Sequence, residues 1–134
     1  MIYSKEKTHN FTKRQLKKIA RLSLQYCMET FGVNNRKWYP LTLNIVHNTN
    51  DGYWGMFHLE INEIEIYVDA CHNIGRFTST IIHEYIHTLQ QQSSRVYSKL
   101  LKEHGYWDHP FEVEARLYQN TFNRDLLRYL RENW

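Results

Sequence analysis

The apolar positions of this chain follow two periods, and the switches between them predict an order of elements. From Thr12 to about Phe31, Leu16, Ile19, Ala20, Ser23 and Cys27 recur at helical steps and lay one stripe along a helix, with Gly32 placed where helices commonly stop. Leu41-Thr42-Leu43-Asn44-Ile45-Val46 then alternates at period two, as a half-buried strand does. Two further short runs, Trp54 to Ile61 and Glu65 to Asp69, are separated by Asn62-Glu63 and predict a hairpin or successive strands of one sheet. Asn34-Asn35-Arg36-Lys37 and Asn48-Thr49-Asn50-Asp51-Gly52 supply turn chemistry between these runs. From Arg76 to Glu103 neither proline nor glycine interrupts a helix-compatible pattern, so one long helix is expected there. After the looser segment His104 to His109, Pro110 suits the first position of a final helix, with Asp108 or His109 as its cap. Phe111, Ala115, Tyr118, Phe122, Leu126 and Tyr129 mark its buried stripe through to Arg131. The expected fold class is α+β: an N-terminal helix, a small three-stranded and mostly antiparallel sheet, a long helix and a C-terminal helix.

Composition narrows this picture. At 134 residues the chain fits one domain, 1–134, with a core of its own, and 42% hydrophobic and 15% aromatic content argues against disorder. The most apolar segment, Ile61 to Ala70, is broken by Asn62, Glu63, Glu65 and Asp69, so nothing approaches the ~20 apolar residues that span a bilayer. The first ten residues lack the apolar centre of a secretory signal, and the expected location is the cytoplasm. Cys27 and Cys71 are too few and too far apart for a disulfide framework and are expected as small buried hydrophobes.

Net charge is +3, yet residues 1 to 21 alone carry +6, from Lys5, Lys7, Lys13, Arg14, Lys17, Lys18 and Arg21 against Glu6. Such a run is ordinarily the solvated face of an amphipathic helix, and no nucleic-acid motif accompanies it. The expected partner is a peptide or protein rather than nucleic acid or membrane, and the expected state is a monomer.

One pentapeptide carries chemistry. His83-Glu84-Tyr85-Ile86-His87 reads H-E-x-x-H, and on a helix its two imidazoles project from one face, a turn apart, where they can hold one zinc ion with Glu84 beside them. Catalytic zinc takes three protein ligands and leaves a fourth position for water. The third must come from downstream, where Glu112 and Glu114 stand in the first turns of the final helix, on either side of its apolar stripe. Helical geometry does not choose between them. Asp108 and His109 rank below both, since a place at the cap gives them a local task on exposed amides.

The H-E-Y-I-H motif, followed by a glutamate-bearing helix, resembles the gluzincin, thermolysin-like branch of the zincin metallopeptidases, in particular its small single-domain members. The resemblance covers roughly Leu41 to Tyr129. It implies a zincin-like fold and Zn2+ as cofactor. In several such families the ligand glutamate opens an E-x-x-A pattern, which Glu112-Val113-Glu114-Ala115 reproduces, so it implies His83, His87 and Glu112 as metal ligands and Glu84 as general base. It further implies an oxyanion donor, for which Tyr106, His104 and His109 lie in the right segment, and a cleft-lining strand, either Glu65 to Asp69 or Trp54 to Glu60. The chain departs from the pattern at Arg116, where some of these families keep an aspartate that orients a histidine. The alternative is a non-catalytic zincin-like or basic-helix binding module; the absence of a cysteine-rich site and the presence of Glu84 argue against it.

Overall fold

Thr12 opens the first helix by closing a capping box: its hydroxyl accepts from the Gln15 N–H at 3.1 Å, while the Gln15 side chain accepts from the Thr12 N–H at 2.8 Å. In the computed structural model, which describes residues 2–34, 40–47, 52–90 and 93–134, this helix is α1 (Lys13–Phe31). It stops at Gly32, whose φ of 86° suits a residue without a Cβ. All of the stripe from Leu16 to Cys27 is buried, and Lys13, Arg14, Lys17 and Arg21 lie on the exposed side.

Three strands follow, β1 (Thr42–Val46), β2 (Gly55–His58) and β3 (Glu63–Tyr67), in the order β1-β3-β2. β2 pairs with β3 antiparallel through a short turn, but β1 pairs with β3 in parallel. The sheet is therefore mixed, not mostly antiparallel. Alternation reports which side chains face inward; strand direction is set by how the chain returns, and here the β2–β3 hairpin places β3 in the middle. The expected turns at Asn35-Arg36-Lys37 and Asn48-Thr49-Asn50-Asp51 lie outside the described residues.

A single-turn helix α2 (Val68–Cys71) leads into α3 (Ile74–Leu89), which Asn73 caps by accepting from the Arg76 N–H at 2.8 Å. The long helix expected as far as Glu103 is two helices. α3 ends at Leu89, Gln90 is extended at φ −75°, ψ 134°, and a new helix α4 (Ser94–His104) starts from Ser93, whose hydroxyl accepts from the Val96 N–H. Lack of proline and glycine permits a continuous helix without requiring one; the Gln90 carboxamide and the Ser93 cap favour the break. Gln91 and Gln92 lie outside the described residues. The last helix, α5 (Pro110–Asn133), has Pro110 at its first position and His109 as its cap.

α3 is the central element, packed on β2 and β3 and against both α1 and α5. Its Phe77, Ile81, Ile82 and Tyr85 join Ile64 and Ile66 of β3, Ile19 and Cys27 of α1, and Leu126 and Leu130 of α5 in one core. The Thr78 hydroxyl reaches Asn123 Oδ1 at 2.7 Å and ties α3 to α5. Gly55 lets β2 approach α3: a Cβ there would lie 2.7 Å from Thr80 Cγ2. Both cysteines are free and buried. Among the described residues no helix is long and apolar enough to cross a membrane.

Candidate metal centre

The second half of α3 turns His83 and His87 to one side, with ring centroids 4.9 Å apart. Each ring is held by its Nδ1. His83 Nδ1 lies 2.6 Å from Gln119 Oε1, and His87 Nδ1 lies 2.7 Å from Gln90 Oε1. The Gln90 amide cannot be reversed, because its Nε2 donates to Phe111 O at 2.9 Å and to Glu114 Oε1 at 3.0 Å. A carboxamide oxygen only accepts, so Nδ1 is the protonated nitrogen of His87 and its Nε2 carries the lone pair of the neutral imidazole; the Gln119 oxygen facing His83 Nδ1 matches the same tautomer there.

Both Nε2 atoms converge on one oxygen. Glu112, in the first turn of α5, places Oε1 2.9 Å from His83 Nε2 and 3.1 Å from His87 Nε2. Its Oε2 accepts from the Tyr97 hydroxyl at 2.8 Å. Two lone pairs facing a carboxylate repel unless positive charge lies among them, either as ring protons or as a metal ion. The ligand atoms of His83, Glu84 and His87 also lie within 4.8 Å of one another. Two imidazoles with anchored Nδ1 atoms, and a carboxylate within reach of both Nε2 atoms, are groups that can hold a metal ion. Helical geometry left Glu112 and Glu114 open and the family resemblance pointed to Glu112; the fold brings Glu112 between the imidazoles and sets Glu114 behind Gln90.

The electrostatics follow from burial and these contacts. Burial alone draws His87 down, but the hydrogen bond to Glu112 and the charges of Glu84 and Glu112 carry it up to about 9. Burial likewise pushes Glu112 up, yet the hydrogen bonds from His83, His87 and Tyr97 hold its carboxyl far below the usual range. Glu84 is buried, and burial pushes its carboxyl up against the opposing pull of His87 and His83. Among the described residues its Oε2 has no hydrogen-bond partner.

Two clefts open on Glu84. The larger, 460 Å³, runs between β2 and the Ser94–Ser98 side of α4, over His87 and Glu112. The smaller, 280 Å³, lies on the His83 side, bounded by Trp54, Tyr106 and Trp107. Of the two candidate cleft strands, β3 has partners on both sides, whereas β2 is an edge strand and borders the larger cleft.

The three candidate donors separate clearly. His109 is fully buried, with Nδ1 accepting from the Phe111 N–H, Nε2 donating to Tyr97 O at 3.1 Å, and its ring stacked on Tyr97. Both its nitrogens are occupied, and its work is to join α4 to α5. His104 is exposed near Glu103 and borders neither cleft. Tyr106 borders both, and burial together with Glu112 and Glu84 pushes its hydroxyl up to about 12.

Sequence reasoning missed Gln90, Gln119 and Tyr97, and also His58, which borders the larger cleft and pairs with Glu65. Gln119 lies two helical turns beyond Glu112, and Gln90 one turn beyond His87, so spacing held a signal for both. Glutamine belongs to no metal signature, and that signal goes unread. No family model, curated protein or solved structure matches this chain.

Proposed function

We propose that this protein is a zinc-dependent metallopeptidase in which His83, His87 and Glu112 hold the metal and Glu84 is the general base. The observation that carries the reading is the convergence of both Nε2 atoms on Glu112 Oε1, with each Nδ1 tied to a glutamine, beside a carboxylate at the junction of two clefts. When bound by these residues, zinc would supply a water of pKa lowered toward ~7 and a Lewis acid for the scissile carbonyl. Glu84 takes the proton of the attacking water on its unpartnered Oε2 and returns it to the leaving amine. Its burial supports that role, because desolvation raises the carboxyl and so makes the carboxylate a stronger base. The free edge of β2 offers backbone groups to an extended peptide. Tyr106, the one candidate donor bordering both clefts, is assigned to the oxyanion.

Metal content and peptide hydrolysis of Glu84→Gln test this. The variant should keep one zinc per chain while kcat/KM falls by about a thousandfold, within the usual span for loss of a general base. Chelation should abolish hydrolysis in the unaltered protein, and added zinc should restore it. Hydrolysis undiminished in Glu84→Gln, or persisting in metal-free protein, overturns the assignment.

A further inference from the structure

Arg116 lies one turn after Glu112 on α5, and none of the contacts that orient the two histidines uses it; Gln119 and Gln90 do that work. Its guanidinium is instead held in the smaller cleft. The plane lies 4.0 Å over the Trp107 ring, and Nη2 donates to Trp107 O, which fixes the orientation of the fork. Nη1 is buried and, among the described residues, has no hydrogen-bond partner. Among the described residues Arg116 makes no ion pair, although it borders the same cleft as His83 and Glu84. A buried guanidinium nitrogen with nothing to donate to is uncommon in a folded protein, and one beside a reactive centre calls for a partner that arrives with the substrate.

Resting on the metallopeptidase reading, we propose that Arg116 makes the smaller cleft a carboxylate subsite, so that the preferred substrates are peptides presenting a carboxylate on the His83 side of the scissile bond. A guanidinium with one fork arm tied to a backbone carbonyl and the other unused matches a planar carboxylate in shape and charge. Tyr106 and Trp107 are exposed side chains, 55% and 69%, that can shift as the group enters and then shield the pair from water. Shielding strengthens the attraction, since charges interact more strongly where water is excluded. The carboxylate can come from an Asp or Glu side chain or from the peptide's own C-terminus.

The test uses acetylated, amidated alanine octapeptides in which a single Glu is moved position by position, each with a Gln counterpart, plus the parent peptide with a free C-terminus. The zinc-loaded protein should cleave at least one carboxylate peptide ten times or more faster, in kcat/KM, than its uncharged counterpart. Arg116→Gln should bring that ratio close to one, Arg116→Lys should keep part of it, and Arg116→Glu should reverse it. Preference tracking the Glu position identifies a side-chain carboxylate; preference tracking the free terminus identifies the terminal one. Cleavage with equal rates for charged and uncharged peptides overturns the subsite while leaving the peptidase reading in place. Should no peptide be cleaved, tryptophan fluorescence titration of the chelator-treated protein with the same peptides decides. Tighter binding of carboxylate peptides that disappears in Arg116→Gln supports the subsite, and equal binding overturns it.

Discussion

Gln90 and Gln119 illustrate how far the geometry of the His83–His87 pair rests on side chains outside it. Each holds the Nδ1 side of one histidine, and Gln90 also ties the end of α3 to α5 through Phe111 O and Glu114. Replacing Gln119 with Ala should therefore lower zinc affinity by about 10- to 100-fold in a chelator competition, without unfolding the protein. Unaltered affinity would mean that α3 alone orients His83. The residue scale is also where the sequence was most legible. His83, Glu84 and His87 are chemically distinctive and locally spaced, so a helical repeat suffices to bring them together. Glu112 and Glu114 were not separable by the same reasoning, because the choice depends on how α5 is rotated against α3.

At the scale of elements, the break between α3 and α4 matters most. α4 buries no residue, and its hydrogen bonds and ring contacts to the rest of the protein gather at Tyr97, which reaches Glu112 and stacks on His109. Elements with little buried apolar surface open at low cost. Amide hydrogen exchange should therefore be at least ten times faster in α4 than in α3, and His109→Ala, which removes both the α5 cap and the stack, should raise the α4 rate further. Equal protection of the two helices would contradict this account. Pattern along the chain suggested continuity because helix-compatible residues run through Gln90. The break follows from tertiary demands on the Gln90 side chain and from the cap that Ser93 provides. The mixed sheet has the same origin, since period-two alternation carries no information on which strands are neighbours. Gly55 adds a tight β2–α3 contact, and Gly55→Ala should cost about 1–3 kcal/mol in urea unfolding.

Across the whole molecule, one core joins both ends of the chain to the site-bearing helix: Ile2 and the buried stripe of α1 from one end and Leu126, Leu127 and Leu130 from the other belong to it. Lys18 adds a link at the periphery, bonding Trp134 O at 2.6 Å and lying 4.4 Å over the Trp134 ring. The same burial sets an alkaline limit. It pushes the Cys71 thiol from 9.0 up to about 12 and the Tyr85 hydroxyl from 10.0 up to about 12. Above pH 9 the unfolded chain loses protons that the folded one keeps, so stability should hold below that pH and decline between 9 and 12. Urea midpoints measured across this range check the expectation. Cys71→Ala and Tyr85→Phe should each make the decline shallower, and a midpoint flat to pH 12 would count against it.

The sequence by itself determined the three strand-forming runs and the first and last helices, which face of α1 is buried, and that two histidines and a glutamate share one helical surface. Those features depend on neighbours within a turn or two, and side-chain period records them directly. Only the tertiary structure decided the parallel pairing of β1, the end of α3 at Leu89, the presence of Glu112 rather than Glu114 between the imidazoles, and the position of Arg116 in the smaller cleft. Each of these is a contact between residues distant along the chain or a competition for one side chain's hydrogen bonds, and local pattern does not encode either.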